Sequence, residues 1–288
     1  MEEIISKAAT LLEALPYIQR FRSQIFVVKY GGSFMDSDDP EVRHRVARDI
    51  VFLEAVGINP VVVHGGGKAI TRALEAAGLK ARFVQGLRVT DAATAEIVDR
   101  VLSHEINLEI VKAIQDFGGK ARGLPGPDIF RCRKFSPPNQ NVDLGFVGEV
   151  VHVNVEPLRE WIRRGVTPVI SPTARGEDGN IYNCNADIAA AKTAISLKAR
   201  RLVFMSDVPG LLSNPKDDAT LMRHLLVGDV PELKRCGVIS EGMLPKVDSA
   251  IAAIESGVEK VQFVDGRIAH SVLLEIFTDS GVGTEVVQ

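Results

Sequence analysis

Short apolar runs rich in β-branched residues alternate along this chain with helix-length amphipathic segments, and that rhythm constrains the fold more than any other feature. The runs fall at 25–29, 60–63, 166–170, 201–205 and 260–264. Helical spacing of apolar residues covers 41–56, a segment ending near Gly78, then 91–117, 156–164, 186–198, 243–256 and 270–277. Strands that are apolar along their whole length are buried on both faces, so they belong in a mainly parallel sheet covered by helices on each side. The expected fold is therefore α/β, a three-layer sandwich around a mainly parallel sheet. Residues 120–155 break the rhythm with prolines, glycines and alternating runs such as Val147-Gly-Glu-Val-Val-His-Val153, which predict hairpins. An N-terminal helix extension over 2–21 carries Ile4, Ala8, Leu11, Leu12, Leu15 and Ile18 on one face, and Pro16 is expected to kink or divide it.

The 288 residues are 45% hydrophobic and 25% charged, enough to build one large domain or two lobes. A net charge of −3 and an aromatic content of 6% give no electrostatic or stacking case for nucleic acid, and no case for an anionic membrane. Cys132, Cys184 and Cys236 lie far apart, which points to a reducing compartment and away from a disulfide framework or a zinc site. The chain opens with Glu2 and Glu3 where a signal peptide is basic, and no apolar run approaches spanning length, so a cytoplasmic location is expected.

In parallel sheets, ligands bind at the carboxyl ends of the strands, and that is where the informative residues fall. Lys29 ends the first run and is followed by Tyr30-Gly31-Gly32-Ser33; an unpaired lysine there is costly to bury, so it asks for an anion or a path to solvent. The second run ends in His64-Gly-Gly-Gly67-Lys68, later ones in Ser206-Asp207-Val-Pro-Gly210 and Asp265-Gly266-Arg267. Glycines let backbone N–H groups approach an anion, and two such turns side by side make a phosphate cradle. The His64 turn is not a Walker A loop, since Ala69 follows the lysine, and its spacing fails the dinucleotide fingerprint. His64 itself reads as a satisfied buried histidine, with no nucleophile or metal partner in view. Asn183-Cys-Asn-Ala-Asp187 opens a helix with more polar groups than one N-cap needs, and Lys246 sits in the first turn of another helix after Ser240-Glu-Gly242-Met-Leu-Pro245.

The ordered set Lys29-Tyr-Gly-Gly, His64-Gly-Gly-Gly, Gly86-Leu-Arg88-Val-Thr90, Asn183-Cys-Asn-Ala-Asp187, Ser206-Asp207 and Gly242-Met-Leu-Pro-Lys246 resembles the amino-acid kinase family, from about residue 24 onward. Within it the match is closest to the branch acting on N-acetyl-L-glutamate. The resemblance implies ATP-dependent phosphorylation of that acceptor's side-chain carboxylate to an acyl phosphate in arginine biosynthesis, with Mg²⁺ carried mainly by ATP. It assigns Lys29, Lys246 and Asp187 to catalysis, and Gly66, Gly67, Arg88 and Asn183 to the acceptor. Gly31, Gly32, Ser206, Asp207, Gly210, Leu212, Gly242 and the loop 238–246 go to ATP. No residues are assigned to a protein-held metal.

The N-terminal helix, Tyr17, His270, Glu275 and Gly283 resemble the arginine-inhibited members of that branch, which are hexamers built as trimers of dimers. The implied organisation is an oligomerisation helix at 1–22, an acceptor lobe at 23–175 and an ATP lobe at 176–288. Cys184 and the proline-rich Gly123-Leu-Pro-Gly-Pro-Asp128 depart from the family pattern. The same motifs also fit a kinase of this fold acting on a carrier-linked aminoadipate or glutamate, or a non-catalytic nucleotide or amino-acid sensor.

Overall fold

The computed structural model describes residues 2–32, 35, 37, 39–84, 86–137, 142–239 and 242–288, with side chains for residue 9 and for those from residue 12 onward. Eight strands form one sheet: β1 (Ile25–Tyr30), β2 (Asn59–His64), β5 (Ala121–Leu124), β8 (Thr167–Ile170), β11 (Arg201–Ser206), β12 (His224–Leu226), β13 (Lys260–Asp265) and β14 (Thr284–Val287). Their spatial order is β12-β14-β13-β11-β1-β2-β8-β5. Every pairing is parallel except β13 with β14, so the two strands at that edge, β14 and β12, run against the other six. β3 (Phe83–Val84) and β4 (Leu87–Arg88) make a small hairpin beside the sheet. β6 (Phe130–Lys134), β7 (Val147–Val153), β9 (Thr173–Gly176) and β10 (Ile181–Cys184) pair in a closed cycle.

Side chains alternate across a strand, so the apolar runs feed two cores at once. On one face Val27, Val61, Val63, Leu202 and Phe204 pack under α8 (Ala186–Leu197) and α10 (Leu244–Glu255), whose Ala190, Ala194, Ala250 and Ala253 let the helices lie close. On the other face Phe26, Val28, Val62, Val203 and Met205 meet α2 (Pro40–Ala55), α3 (Gly67–Ala76) and α11 (Ser271–Phe277). Each fully buried aliphatic or phenyl group contributes about 1.5–3 kcal/mol. The shorter helices α6 (Gly126–Ile129), α7 (Glu156–Arg163) and α9 (Val230–Arg235) occupy connections.

Three expectations change. α1 (Glu2–Phe21) runs through Pro16, which does not divide it, and its apolar face at Ile4, Ala8 and Leu11 lies outside the described side chains. Residues 121–124 are not part of a hairpin; as β5 they extend the main sheet in parallel with β8. The expected helix over 91–117 is α4 (Ala92–Asp99), a π-helical segment (Arg100–Ile106) and α5 (Asn107–Asp116) in unbroken succession. Widened turns of this kind are rare and recur at functional sites.

Candidate active site

Strand β1 alternates Val27 and Lys29 toward the α8 face, so Lys29 leaves the strand end pointing at the first turn of α8. That turn is fixed by Asn185, whose Oδ1 accepts from the N–H groups of Asp187 (2.8 Å) and Ile188 (3.2 Å), an N-cap on a helix that carries Asp187 inward. Lys29 Nζ lies 3.0 Å from Asp187 Oδ1, and Lys246 Nζ donates to Asp187 Oδ2 at 2.5 Å. All three groups are largely buried, with side-chain exposures of 10%, 17% and 10% for Lys29, Lys246 and Asp187. Burial works against ionising Asp187, but Lys29 and Lys246 outweigh it and hold its pKa down at about 2. Burial also pulls Lys246 down, and Asp187 opposes that shift. Two ammonium groups sharing one carboxylate leave an excess positive charge in a low-dielectric cleft, a setting that attracts an anion.

The glycines make this geometry possible. A Cβ at Gly31 would strike Nζ and Cε of Lys29, so any larger residue would push the lysine off Asp187. Gly32 has φ +139°, a conformation that favours glycine. Gly65 N donates to Tyr30 O at 2.7 Å, bringing the turn after β2 against the turn after β1. Ser33, Ser240 and Glu241 lie outside the described residues.

Arg88 is buried at the end of β4, its guanidinium 4.7 Å from the Phe83 ring centroid. Nη2 donates to Gly67 O (2.8 Å) and Thr71 Oγ1 (3.0 Å), while Nη1 is buried without a partner. An orphaned guanidinium N–H in a protein interior is costly unless a ligand supplies its acceptor. Asn183 Nδ2 donates to Thr90 Oγ1 (3.3 Å), which donates to Arg88 O (2.8 Å), so one hydroxyl ties Arg88 and Asn183 together.

Residues 24–265 match the sequence profile of the amino acid kinase family. The chain belongs to that family. The acetylglutamate kinase of Carboxydothermus hydrogenoformans is 47% identical over 292 residues, covering 99% of each chain. The N-acetylglutamate synthase of Neisseria gonorrhoeae, solved with coenzyme A and N-acetyl-glutamate, gives a TM-score of 0.85 at 25% identity, over 98% of this chain and 63% of that one. Solved with coenzyme A and L-arginine, the synthase gives 0.80 at 25% identity, over 97% and 65%. This amino acid kinase thus spans less than two thirds of the synthase's length.

The remaining expected residues of this amino acid kinase divide. Ser206 ends β11 and its carbonyl accepts from Gly266 N (2.9 Å), placing Asp207 beside the β13 turn, where Arg267 grips Asp265 through Nε (2.9 Å) and Nη2 (2.6 Å). Gly210 and Leu212 are braced from outside the turn: Leu211 N donates to Thr284 Oγ1 (2.8 Å), and Leu212 bridges Leu221. Gly242 sits just before α10 with open space where a Cβ would stand.

Tyr17, Glu275 and Gly283 meet around one segment. The Tyr17 hydroxyl donates to Asp279, and Glu275 accepts from Val282 N (2.7 Å) and Gly283 N (2.9 Å) while Gln262 donates to its other oxygen (2.9 Å). His270 reaches elsewhere, its Nδ1 2.6 Å from Asp49 Oδ1 on α2. Burial pushes the Asp49 carboxyl up to about 6, with His270 opposing. Asn107, Asp49 and the linking role of Thr90 were not marked by any local pattern; each acquires its meaning only from a partner distant in the chain.

Among the described residues no group of three or more His, Cys, Asp or Glu side chains converges as a metal site, and no helix is long and apolar enough to cross a membrane.

Proposed function

We propose that this amino acid kinase catalyses the ATP-dependent phosphorylation of the side-chain carboxylate of N-acetyl-L-glutamate, giving an acyl phosphate in arginine biosynthesis in the cytoplasm. The observation that carries it is the meeting of Lys29 and Lys246 on the single buried carboxylate of Asp187. The acceptor follows from full-length similarity to an acetylglutamate kinase and from the buried, unpartnered Nη1 of Arg88, which suits the acceptor's α-carboxylate.

A carboxylate attacking ATP brings two anions together, and the acceptor, already ionised, needs no base. The barrier is therefore one of alignment and repulsion. Lys29 and Lys246 take opposite sides of the transferring phosphoryl group, while Asp187 holds both ammonium groups in place through its two oxygens. Gly66 and Gly67 present N–H groups to the reacting carboxylate and phosphoryl oxygens, and Gly31 and Gly32 leave room for the phosphates. Arg88 and Asn183, coupled through Thr90, fix the acceptor's α-carboxylate and acetamido groups. Ser206, Asp207, Gly210, Leu212 and Gly242 border the nucleotide. With Asp187 committed to two lysines, Mg²⁺ would take its ligands from ATP oxygens and water, adding charge neutralisation.

In this reading residues 23–175 form the acceptor lobe, 176–288 the ATP lobe, and 1–22 the helix through which dimers assemble into a hexamer. Tyr17, His270, Glu275 and Gly283 belong to an arginine site between that helix and the C-terminal lobe, which makes arginine a feedback inhibitor. An ADP-release assay with N-acetyl-L-glutamate, with hydroxylamine trapping of the product and repeated with arginine, tests the assignment. The expected result is acceptor-dependent ADP release and a hydroxamate. ADP release only with a carrier-linked acceptor, or none with any acceptor, would refute it.

A further inference from the structure

His64 is fully buried, and burial pulls its pKa down to about 4, so the ring is neutral at ordinary pH. Its Nδ1 lies 2.8 Å from Gly65 O. A carbonyl only accepts, so Nδ1 carries the proton and Nε2 is left as an acceptor. Asn107 Nδ2, 3.2 Å away, donates to Nε2 and also to Val169 O at 2.9 Å. Asn107 is itself 1% exposed and stands at the first residue after the π-helical segment. Gly123 makes room for it, since a Cβ there would strike Asn107 Oδ1. Ring, amide and strand carbonyl thus form a closed, satisfied chain, with the tautomer fixed from both ends.

The two faces of the sheet give this chain a consequence. Along β2, Val61 and Val63 face α8, whereas Val62 faces the α5 side, and His64 follows Val62. Lys29 and Asp187 lie on the α8 side. The Gly65 carbonyl is therefore drawn toward the face opposite the lysines. The Gly65–Gly66 peptide is trans, so its N–H points the other way, to the side of the sheet on which Lys29 and Asp187 lie. Among the described residues the Gly66 N–H has no acceptor of its own. A Cβ at Gly66 would strike Ile106 Cδ1 and Leu102 Cδ2 from the π-helical segment, so the segment that ends at Asn107 also seats the glycine.

We propose that His64, steadied by Asn107, is a positioning residue for phosphoryl transfer: its Nδ1–H holds the Gly65 carbonyl on the α5 side and thereby aims the Gly66 N–H at the transferring group beside Lys29. This rests on the phosphoryl-transfer reading above. The histidine never touches substrate; it acts through one peptide plane, and preorganised N–H donors of this kind act where charge develops in the transition state.

Two substitutions separate positioning from packing. In His64→Asn, the side-chain amide places an N–H where Nδ1–H stands but cannot reach Asn107. In His64→Gln, the longer side chain keeps the Asn107 contact and most of the volume but loses the donor to Gly65 O. The expected order is that His64→Gln loses about tenfold or more in kcat with nucleotide KM little changed, while His64→Asn recovers most of that loss. A purely structural histidine predicts the reverse, since glutamine fills the space better; a glutamine variant as active as the asparagine one overturns the proposal. Wild-type protein without acceptor-dependent ADP release would instead defeat the parent assignment, so the two failures are distinguishable. Should either variant fail to fold, ¹⁵N-histidine NMR of the wild type decides: a neutral Nδ1–H ring unchanged between about pH 6 and 9 supports the proposal, and an Nε2–H tautomer overturns it.

Discussion

Lys29 and Lys246 reach opposite oxygens of one carboxylate, Asp187, at 3.0 and 2.5 Å, although one ends a strand and the other begins a helix. Their separation is set by that carboxylate, so neither lysine can shift without losing its ion pair. Replacing either by alanine is expected to lower kcat by about 10²-fold or more with the fold retained. Steady-state kinetics alongside thermal unfolding check this, and a folded variant with wild-type turnover would contradict it.

Lys29 and Lys246 depress the Asp187 pKa from the ordinary carboxylate range to about 2, so its contribution to stability is present above the unfolded pKa and lost as pH falls through the folded one. Urea unfolding should show stability dropping between about pH 4 and pH 2, with about 2 kcal/mol traceable to this group. Asp187→Asn should be less stable at neutral pH, because two buried ammonium groups lose their counter-charge, and should lack this acid step. An acid step of the same size in Asp187→Asn would place its origin elsewhere.

Arg88 keeps Nη1 buried and unpartnered while Nη2 is committed to Gly67 O and Thr71. Lysine keeps the charge but not the fork. Arg88→Lys is therefore expected to raise the KM for N-acetyl-L-glutamate by about tenfold or more while the nucleotide KM stays near wild type. Equal effects on both would remove Arg88 from the acceptor site.

Deleting residues 1–20 takes away most of α1, including Tyr17 and its bond to Asp279. If α1 carries the proposed assembly and arginine site, the truncated chain is expected to sediment as a smaller species and to be insensitive to arginine, read by analytical ultracentrifugation and by inhibition curves. Unchanged sedimentation and inhibition would exclude the proposed role of the helix.

The parallel α/β order was legible because buried strands and amphipathic helices carry local periodicities; Lys29 stood out as a charge ending an apolar run and Asp187 in an Asn-rich helix start, whereas Arg88 came only with the family resemblance. What was not legible depends on contacts between distant segments. Residues 121–124 resemble their hairpin neighbours and join the main sheet only because α5 returns the chain beside β8. Nothing in 100–106 distinguishes a π-helical segment from the helices flanking it. His64 was readable as buried, but its hold on Gly65 and its support from Asn107 require the fold to bring helix and strand together.

Because β1 and β11 are hydrogen-bonded neighbours in an uninterrupted eight-stranded ladder, no seam divides the half of the molecule that carries Arg88 from the half that carries Ser206. The two proposed substrate seats share one stiff beam. Drawing the reactants together must come from flexing that beam as a whole or from movement of the hairpins and helix tips mounted on its rim.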